Sequence, residues 1–181
     1  YGGGVAEMLR SMVPLMNDIG LYVGCRTMVG SPDFFRVAKK FHNALQGDAI
    51  ALTQKKIKVY EETNQIFSRF THIDHDLVVV HDPQPLPLIK FYRKRQPWVW
   101  RCHVDLSKPN RKLWNYLKGF ILQYDMAVYH MEEFAAKGLP GDYKVIKPAI
   151  DPLAMKNMPL PKSTIKKYLQ KAGVDPKRPL I

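Results

Sequence analysis

A chain of 181 residues, 46% of them hydrophobic, is long enough to bury a full-sized core, and its formal charge of +12 favours anionic partners: nucleic acid, an acidic surface or phosphorylated small molecules. Cys25 and Cys102 stand far apart without Cys-x-x-Cys spacing, which argues against a zinc site or a disulfide framework and suits a reducing, cytoplasmic setting. No apolar run approaches the ~20 residues of a membrane span, and the first residues lack the pattern of a signal peptide.

The chain opens on Tyr1-Gly2-Gly3-Gly4, which runs into Val5, Met8, Leu9, Met12, Val13 and Met16 at helical spacing. This reads as a glycine turn opening a helix from Val5 to Ile19, kinked at Pro14 and stopped by Gly20. A strand is expected over Leu21–Val29. Phe34, Val37, Phe41 and Leu45 form the apolar face of a helix over Asp33–Leu45, and Ile57, Tyr60, Asn64 and Phe67 mark a second helix over Thr53–Phe70 with Thr53 as its cap. The two form a helical insertion near residues 33–70.

Alternation follows: strand Leu77–Val80, a short helix near Pro85–Tyr92, strand Trp98–His103, helix Arg111–Gln123, strand Met126–Tyr129, a short helix at Glu132–Ala136 and strand Tyr143–Ile146. Strands alternating with helices imply an α/β, Rossmann-like, doubly wound parallel sheet. Pro148, Pro152, Pro159 and Pro161 mark a linker, after which Ser163 or Thr164 caps a last helix to Lys171. We therefore divide the chain into a domain over residues 1–150 and a segment over 151–181 that leads into a further domain. The glycine turn has no strand before it, and the final Pro179-Leu180-Ile181 starts an apolar run, so a longer parent is expected.

Two polar clusters end the apolar strands: His81-Asp82-Pro83-Gln84 and Arg101-Cys102-His103-Val104-Asp105. Ligands of open α/β sheets bind beyond the carboxyl ends of the strands. Asp82, Gln84 and His81 supply closely spaced donors and acceptors suited to polyhydroxylated ligands; equally, Asp82 can cap the following helix and His81 can be a satisfied edge histidine. Residues two apart share a strand face, so an extended strand would align Arg101, His103 and Asp105, with Asp105 setting the histidine tautomer and Arg101 holding an anion. The alternative is a buried Arg101–Asp105 pair around a structural histidine.

The glycines and the helix N-terminus behind them can hold an anion. Glu7 occupies the place of the third glycine of a dinucleotide fingerprint, which disfavours a nicotinamide cofactor and leaves Glu7 to complement the helix dipole or bind a sugar hydroxyl. His72-Ile73-Asp74-His75-Asp76 has metal-like spacing, but it precedes its strand and so lies at the opposite edge of the sheet; turn roles fit it better.

Taken together, Tyr1-Gly-Gly-Gly-Val-Ala-Glu-Met-Leu, Lys39-Lys-Phe-His-Asn-Ala-Leu-Gln-Gly, His81-Asp-Pro-Gln-Pro, Trp98-Val-Trp-Arg-Cys-His-Val-Asp-Leu-Ser and Ile150-Asp-Pro-Leu resemble the trehalose-forming glycosyltransferases of glycosyltransferase family four, which have the GT-B fold. The resemblance implies two Rossmann-like domains across a cleft, of which this chain is the amino-terminal, acceptor-binding half. It further implies transfer of glucose from a nucleoside-diphosphate glucose to glucose with retention, giving trehalose, without a metal or other cofactor. Front-face displacement is the usual description, the leaving diphosphate helping to deprotonate the acceptor.

Carried onto this sequence, the resemblance makes His103 the catalytic histidine near the donor sugar and Gly2, Gly3 and Gly4 the loop facing the donor diphosphate. Asp82, Gln84 and Arg101 orient acceptor glucose with support from Asp105, and Glu7, Lys40, His42 and Asn43 border its pocket. Trehalose phosphorylase, or a related family-four transferase with another acceptor, is the alternative within enzymes; a non-catalytic basic module binding nucleic acid is the alternative outside them. The scatter of Lys and Arg pairs over several elements makes nucleic acid the lesser choice. A homodimer remains open, and the half alone is expected to be inactive.

Overall fold

The computed structural model describes residues 3–136 and 141–175, in two compact units, Tyr1–Pro148 and Ala149–Ile181. Helices α1 (Gly4–Asp18), α2 (Pro32–Leu45) and α3 (Gln54–Phe70) precede the sheet. Strand β1 (Val78–His81), a 3₁₀ turn at Leu86–Lys90, β2 (Trp98–Arg101), α4 (Arg111–Ile121), β3 (Met126–Tyr129), a 3₁₀ turn at Glu132–Phe134 and β4 (Tyr143–Val145) follow. The strands lie in the order β1-β2-β3-β4, every neighbouring pair parallel. This is the parallel α/β arrangement expected of a Rossmann-like domain.

Local chemistry explains the helices. The Ser31 hydroxyl accepts from Phe34 N (3.2 Å) with Pro32 at the first helical position, Thr53 Oγ1 accepts from Lys56 N (3.4 Å), and Asn110 Oδ1 accepts from the amides of Lys112 and Leu113. The apolar faces then decide the packing: α2 buries Phe34, Val37, Phe41 and Leu45, and α4 buries Leu113, Leu117, Phe120 and Ile121. Trp98 and Trp100, two apart on β2, point to one face and are fully buried; each contributes at least the ~2–3 kcal/mol of a large apolar side chain. Strand alternation sends Val99 and Arg101 to the other face, in register with Val79 and His81 of β1.

Three expectations are corrected. Leu21–Val29 forms no strand: Tyr22 is 98% exposed, and Asn17 of α1 engages both backbone groups of Val23, its Oδ1 accepting from Val23 N (2.8 Å) and its Nδ2 donating to Val23 O (3.2 Å). A backbone bonded to a helix side chain is not offered to a ladder. Strand β2 ends at Arg101 rather than His103, because the chain turns off the sheet after Cys102 N donates to Val128 O (2.9 Å). In the second unit, α5 (Lys162–Lys171) begins after Pro161 without a side-chain cap, so neither Ser163 nor Thr164 stands at the capping position.

Helix α1 runs unbroken through Pro14, buries no residue, and closes at Gly20, whose φ of +91° lies in the left-handed region that favours glycine. No helix among the described residues is long and apolar enough to cross a membrane. Cys25 is exposed, Cys102 is buried, and neither is in a disulfide.

Candidate active site at the carboxyl edge of the sheet

Parallel register brings the strand-end residues together. His81 stands opposite Arg101 across the β1–β2 ladder, and Asp82 N continues the pairing by donating to Arg101 O (2.9 Å). Asp82 then adopts φ +66°, a conformation that costs a non-glycine residue about 1 kcal/mol or more and is held by what surrounds it. Its carbonyl accepts from Trp100 Nε1 (3.0 Å) and its Oδ1 accepts from His103 N (3.3 Å). Asp82 therefore ties the end of β1 to the start of the loop after β2; it caps no helix.

The loop that follows is fastened by three buried side chains. Tyr60 Oη donates to Pro83 O, Asn64 Nδ2 donates to Gln84 O (3.1 Å), and Tyr124 Oη donates to Leu86 O (2.8 Å). Tyr60 and Asn64 come from the helical insertion and are fully buried. Their helical spacing marked them as a core face, while their polar atoms set the path of the Asp82–Gln84 segment.

Three imidazoles gather on this framework. His81 Nδ1 lies 2.9 Å from His103 Nε2 with the ring planes 15° apart, and His130 sets its ring at 80° to that of His103, with centroids 4.7 Å apart. His130 directly follows β3, as His103 follows β2 and His81 ends β1. Sequence reasoning missed it, although the same signal, a polar residue closing an apolar run, was present after Tyr129. Its Nε2 is buried without a partner among the described residues.

Electrostatics follow from burial beside one cation. Arg101 is 9% exposed, and its Nη2 donates to Ile146 O (2.7 Å) just past β4. Among the described residues, no carboxylate pairs with it. Burial foremost, then the Arg101 charge, lowers His81 to about 4; burial, the neighbouring histidines and Arg101 lower His103 to about 3; burial and Arg101 also lower His130. All three are neutral at pH 7. Burial raises the Asp82 carboxyl to about 6, against the opposing His103 N–H bond. The assembly offers an anion-attracting guanidinium, neutral imidazoles that each donate and accept, and a carboxylate near its titration midpoint.

The remaining predicted residues are placed as follows. Since β2 stops at Arg101, the alternating register does not extend to Asp105, whose Oδ1 instead accepts from Ser107 N (2.8 Å) and forms a local turn. The expected Arg101–Asp105 alignment beside His103 is not formed. Gln84 lies half-buried in the fastened loop. Lys40, His42 and Asn43 lie near the end of α2, which meets the loop after His103 where Asn110 N donates to Ala44 O (2.9 Å). Burial and the nearby Lys39 lower His42. Gly3 and Gly4 have open space where a Cβ would stand, Glu7 is exposed in the first turn of α1, and Gly2 lies outside the described residues. The burial that marks the strand ends is absent from that turn.

At the amino edge, His72, Asp74, His75 and Asp76 are exposed. Among the described residues no three His, Cys, Asp or Glu side chains are grouped to hold a metal ion.

Comparison with known proteins shows which family the chain resembles. Residues 1–136 match the family model described as trehalose synthase, N-terminal domain. The chain is 48% identical over its whole length to the trehalose synthases of Thermococcus litoralis and Pyrococcus furiosus, and it spans 45% of the length of each. A more distant match is the trehalose phosphorylase of Pleurotus pulmonarius, 29% identical over 82% of this chain and 23% of that protein. With a parallel α/β sheet, polar strand ends and a match over three-quarters of its residues, the chain belongs to the trehalose synthase family and carries that family's N-terminal domain.

Proposed function

We propose that this chain forms the acceptor-side half of a retaining glycosyltransferase that moves glucose from a nucleoside-diphosphate glucose to glucose, giving trehalose. The observation that carries the reading is the buried Arg101 guanidinium, bonded to a carbonyl and, among the described residues, matched by no carboxylate, at the carboxyl edge among neutral histidines. A buried cation without a counter-charge is costly, and an anionic or richly hydroxylated ligand offsets that cost.

In this reading His103 stands beside the reacting sugar. Arg101 and Asp82 hold acceptor hydroxyls, Asp82 through the carboxylate oxygen left over from its bond to His103 N. Gln84 adds side-chain amide contacts from the loop fastened by Tyr60 and Asn64. Gly3 and Gly4, at the start of α1, face the donor diphosphate, and Lys40, His42, Asn43 and Glu7 border the pocket. Orientation of two bound substrates is the main catalytic contribution such residues make.

Similarity to trehalose phosphorylases supports a second reading, in which phosphate replaces the nucleotide and drives trehalose breakdown. Nucleic-acid binding is less favoured, because the Lys and Arg pairs scatter over several elements instead of forming one stripe. The deciding experiment incubates a full-length protein carrying this chain with a panel of nucleoside-diphosphate glucoses and glucose, and identifies any disaccharide by NMR. An α,α-1,1 product is expected. Nucleotide-sugar breakdown without disaccharide would overturn the acceptor assignment, and trehalose cleavage that requires phosphate would favour the phosphorylase reading.

A further inference from the structure

We infer that His81 is a positioning residue for His103: one nitrogen-to-nitrogen hydrogen bond from the end of β1 holds the plane of the His103 imidazole and commits its Nε2. The inference rests on the role proposed above for His103 and adds a residue that this role requires.

The geometry is that of a bond. Two nitrogens 2.9 Å apart are closer than stacked ring faces approach, and ring planes only 15° apart let the imidazoles meet edge to edge. Neither ring is charged at neutral pH, so one nitrogen must donate and the other accept; the bond therefore couples the two histidines into matched tautomers, both Nδ1-H or both Nε2-H. Commitment of Nε2 to His81 leaves Nδ1 as the His103 nitrogen available to a ligand.

The anchor is stiff where it needs to be. His81 is the last residue of a paired strand, in register with Arg101. The His103 backbone is tied to the same corner through Asp82 Oδ1, and the His130 ring packs at 80° to the His103 ring with 4.7 Å between centroids. Rotation of the His103 ring breaks the bond to His81 and disturbs the contact with His130. Buried imidazoles whose second nitrogen is committed in this way keep one orientation, the property that a group beside a reacting sugar needs.

Two substitutions separate the bond from mere space-filling. His81→Phe keeps a flat ring of similar size without the bond, whereas His81→Asn removes the ring but keeps a polar atom where Nδ1 was. In nitrogen-15 NMR of a full-length protein, His103 Nε2 should carry the shift of a hydrogen-bonded nitrogen in the wild type, lose it in His81→Phe, and regain it in His81→Asn. Turnover in His81→Phe should fall about tenfold to a hundredfold, with KM for both substrates changed less than about twofold, and His81→Asn should recover most of the loss. An unchanged Nε2 shift with wild-type turnover in His81→Phe overturns the inference. So do equal losses in both variants that track a lowered melting temperature. If the wild type makes no disaccharide, the proposed reaction fails, while the Nε2 signal still decides whether His81 holds His103.

Discussion

Strand β1 has histidine and aspartate at both ends, and the two ends behave as different chemical environments. Before the strand, His72, Asp74, His75 and Asp76 are all exposed and water solvates them. After it, His81 and Asp82 are half-buried against Trp100, His103 and Arg101, with His81 lowered to about 4 and Asp82 raised to about 6. The residue types are the same; desolvation and one buried cation separate them. The carboxyl end is covered because Tyr60, Asn64 and Tyr124 bond three carbonyls of the loop that leaves it, and because Val104 and Leu106 bury the loop after His103. Reactive potential here is a property of the packed edge, not of the motif.

The largest effect should come from the ligand end. His103→Ala in a full-length protein is expected to lower turnover by about a hundredfold or more while unfolding stays cooperative; near-normal turnover would equate the two ends and break the comparison. Asp82→Asn comes next and tests desolvation directly. The folded pKa of Asp82 is raised to about 6 from 3.8, so its stabilising contribution is complete below the unfolded value and is lost as pH rises through about 6. Asparagine carries no charge and accepts the left-handed backbone, so the variant should gain up to about 3 kcal/mol at pH 7 and nothing at pH 4, read from denaturant unfolding at the two pH values. A pH-independent difference would remove burial as the cause.

The histidines carry the opposite sign. Their folded values lie below the ordinary one, so the stability they contribute is present above about pH 6.5 and drains as pH falls through about 4 for His81 and about 3 for His103. Acid unfolding should therefore shift to lower pH in the joint His81→Phe, His103→Phe variant. An unshifted acid transition would mean that these rings are not desolvated.

Smaller effects sharpen the contrast. Tyr60→Phe deletes the bond to Pro83 O and should cost about 1–2 kcal/mol, with increased amide exchange confined to residues near 82–86. His75→Ala or Asp76→Asn, at the solvated end, should change stability by no more than about 0.5 kcal/mol and leave turnover unaltered. A strong loss of activity from either would move the site to the amino edge.

Much of the frame was legible because it is written in local periodicity. Met126–Tyr129 is a four-residue apolar run and forms β3 with those ends, and Leu113, Leu117, Phe120 and Ile121 mark the buried face of α4. Leu21–Val29 misled for a physical reason: its composition suits a strand, but the partners of Val23 are atoms of Asn17. His130 was passed over as a lone histidine, and only its neighbours on β1 and β2 give it meaning.

By itself the sequence determined where most of the helices and the four sheet strands lie and that polar residues close the strands, since the spacing of apolar residues acts within a few residues. Tertiary structure alone decided that His81 bonds His103, that His130 stands against them, and that Arg101 reaches a carbonyl 45 residues away rather than Asp105. Such partnerships depend on strand register and on which groups lose water when the sheet edge is covered, and both come into existence only when distant segments pack.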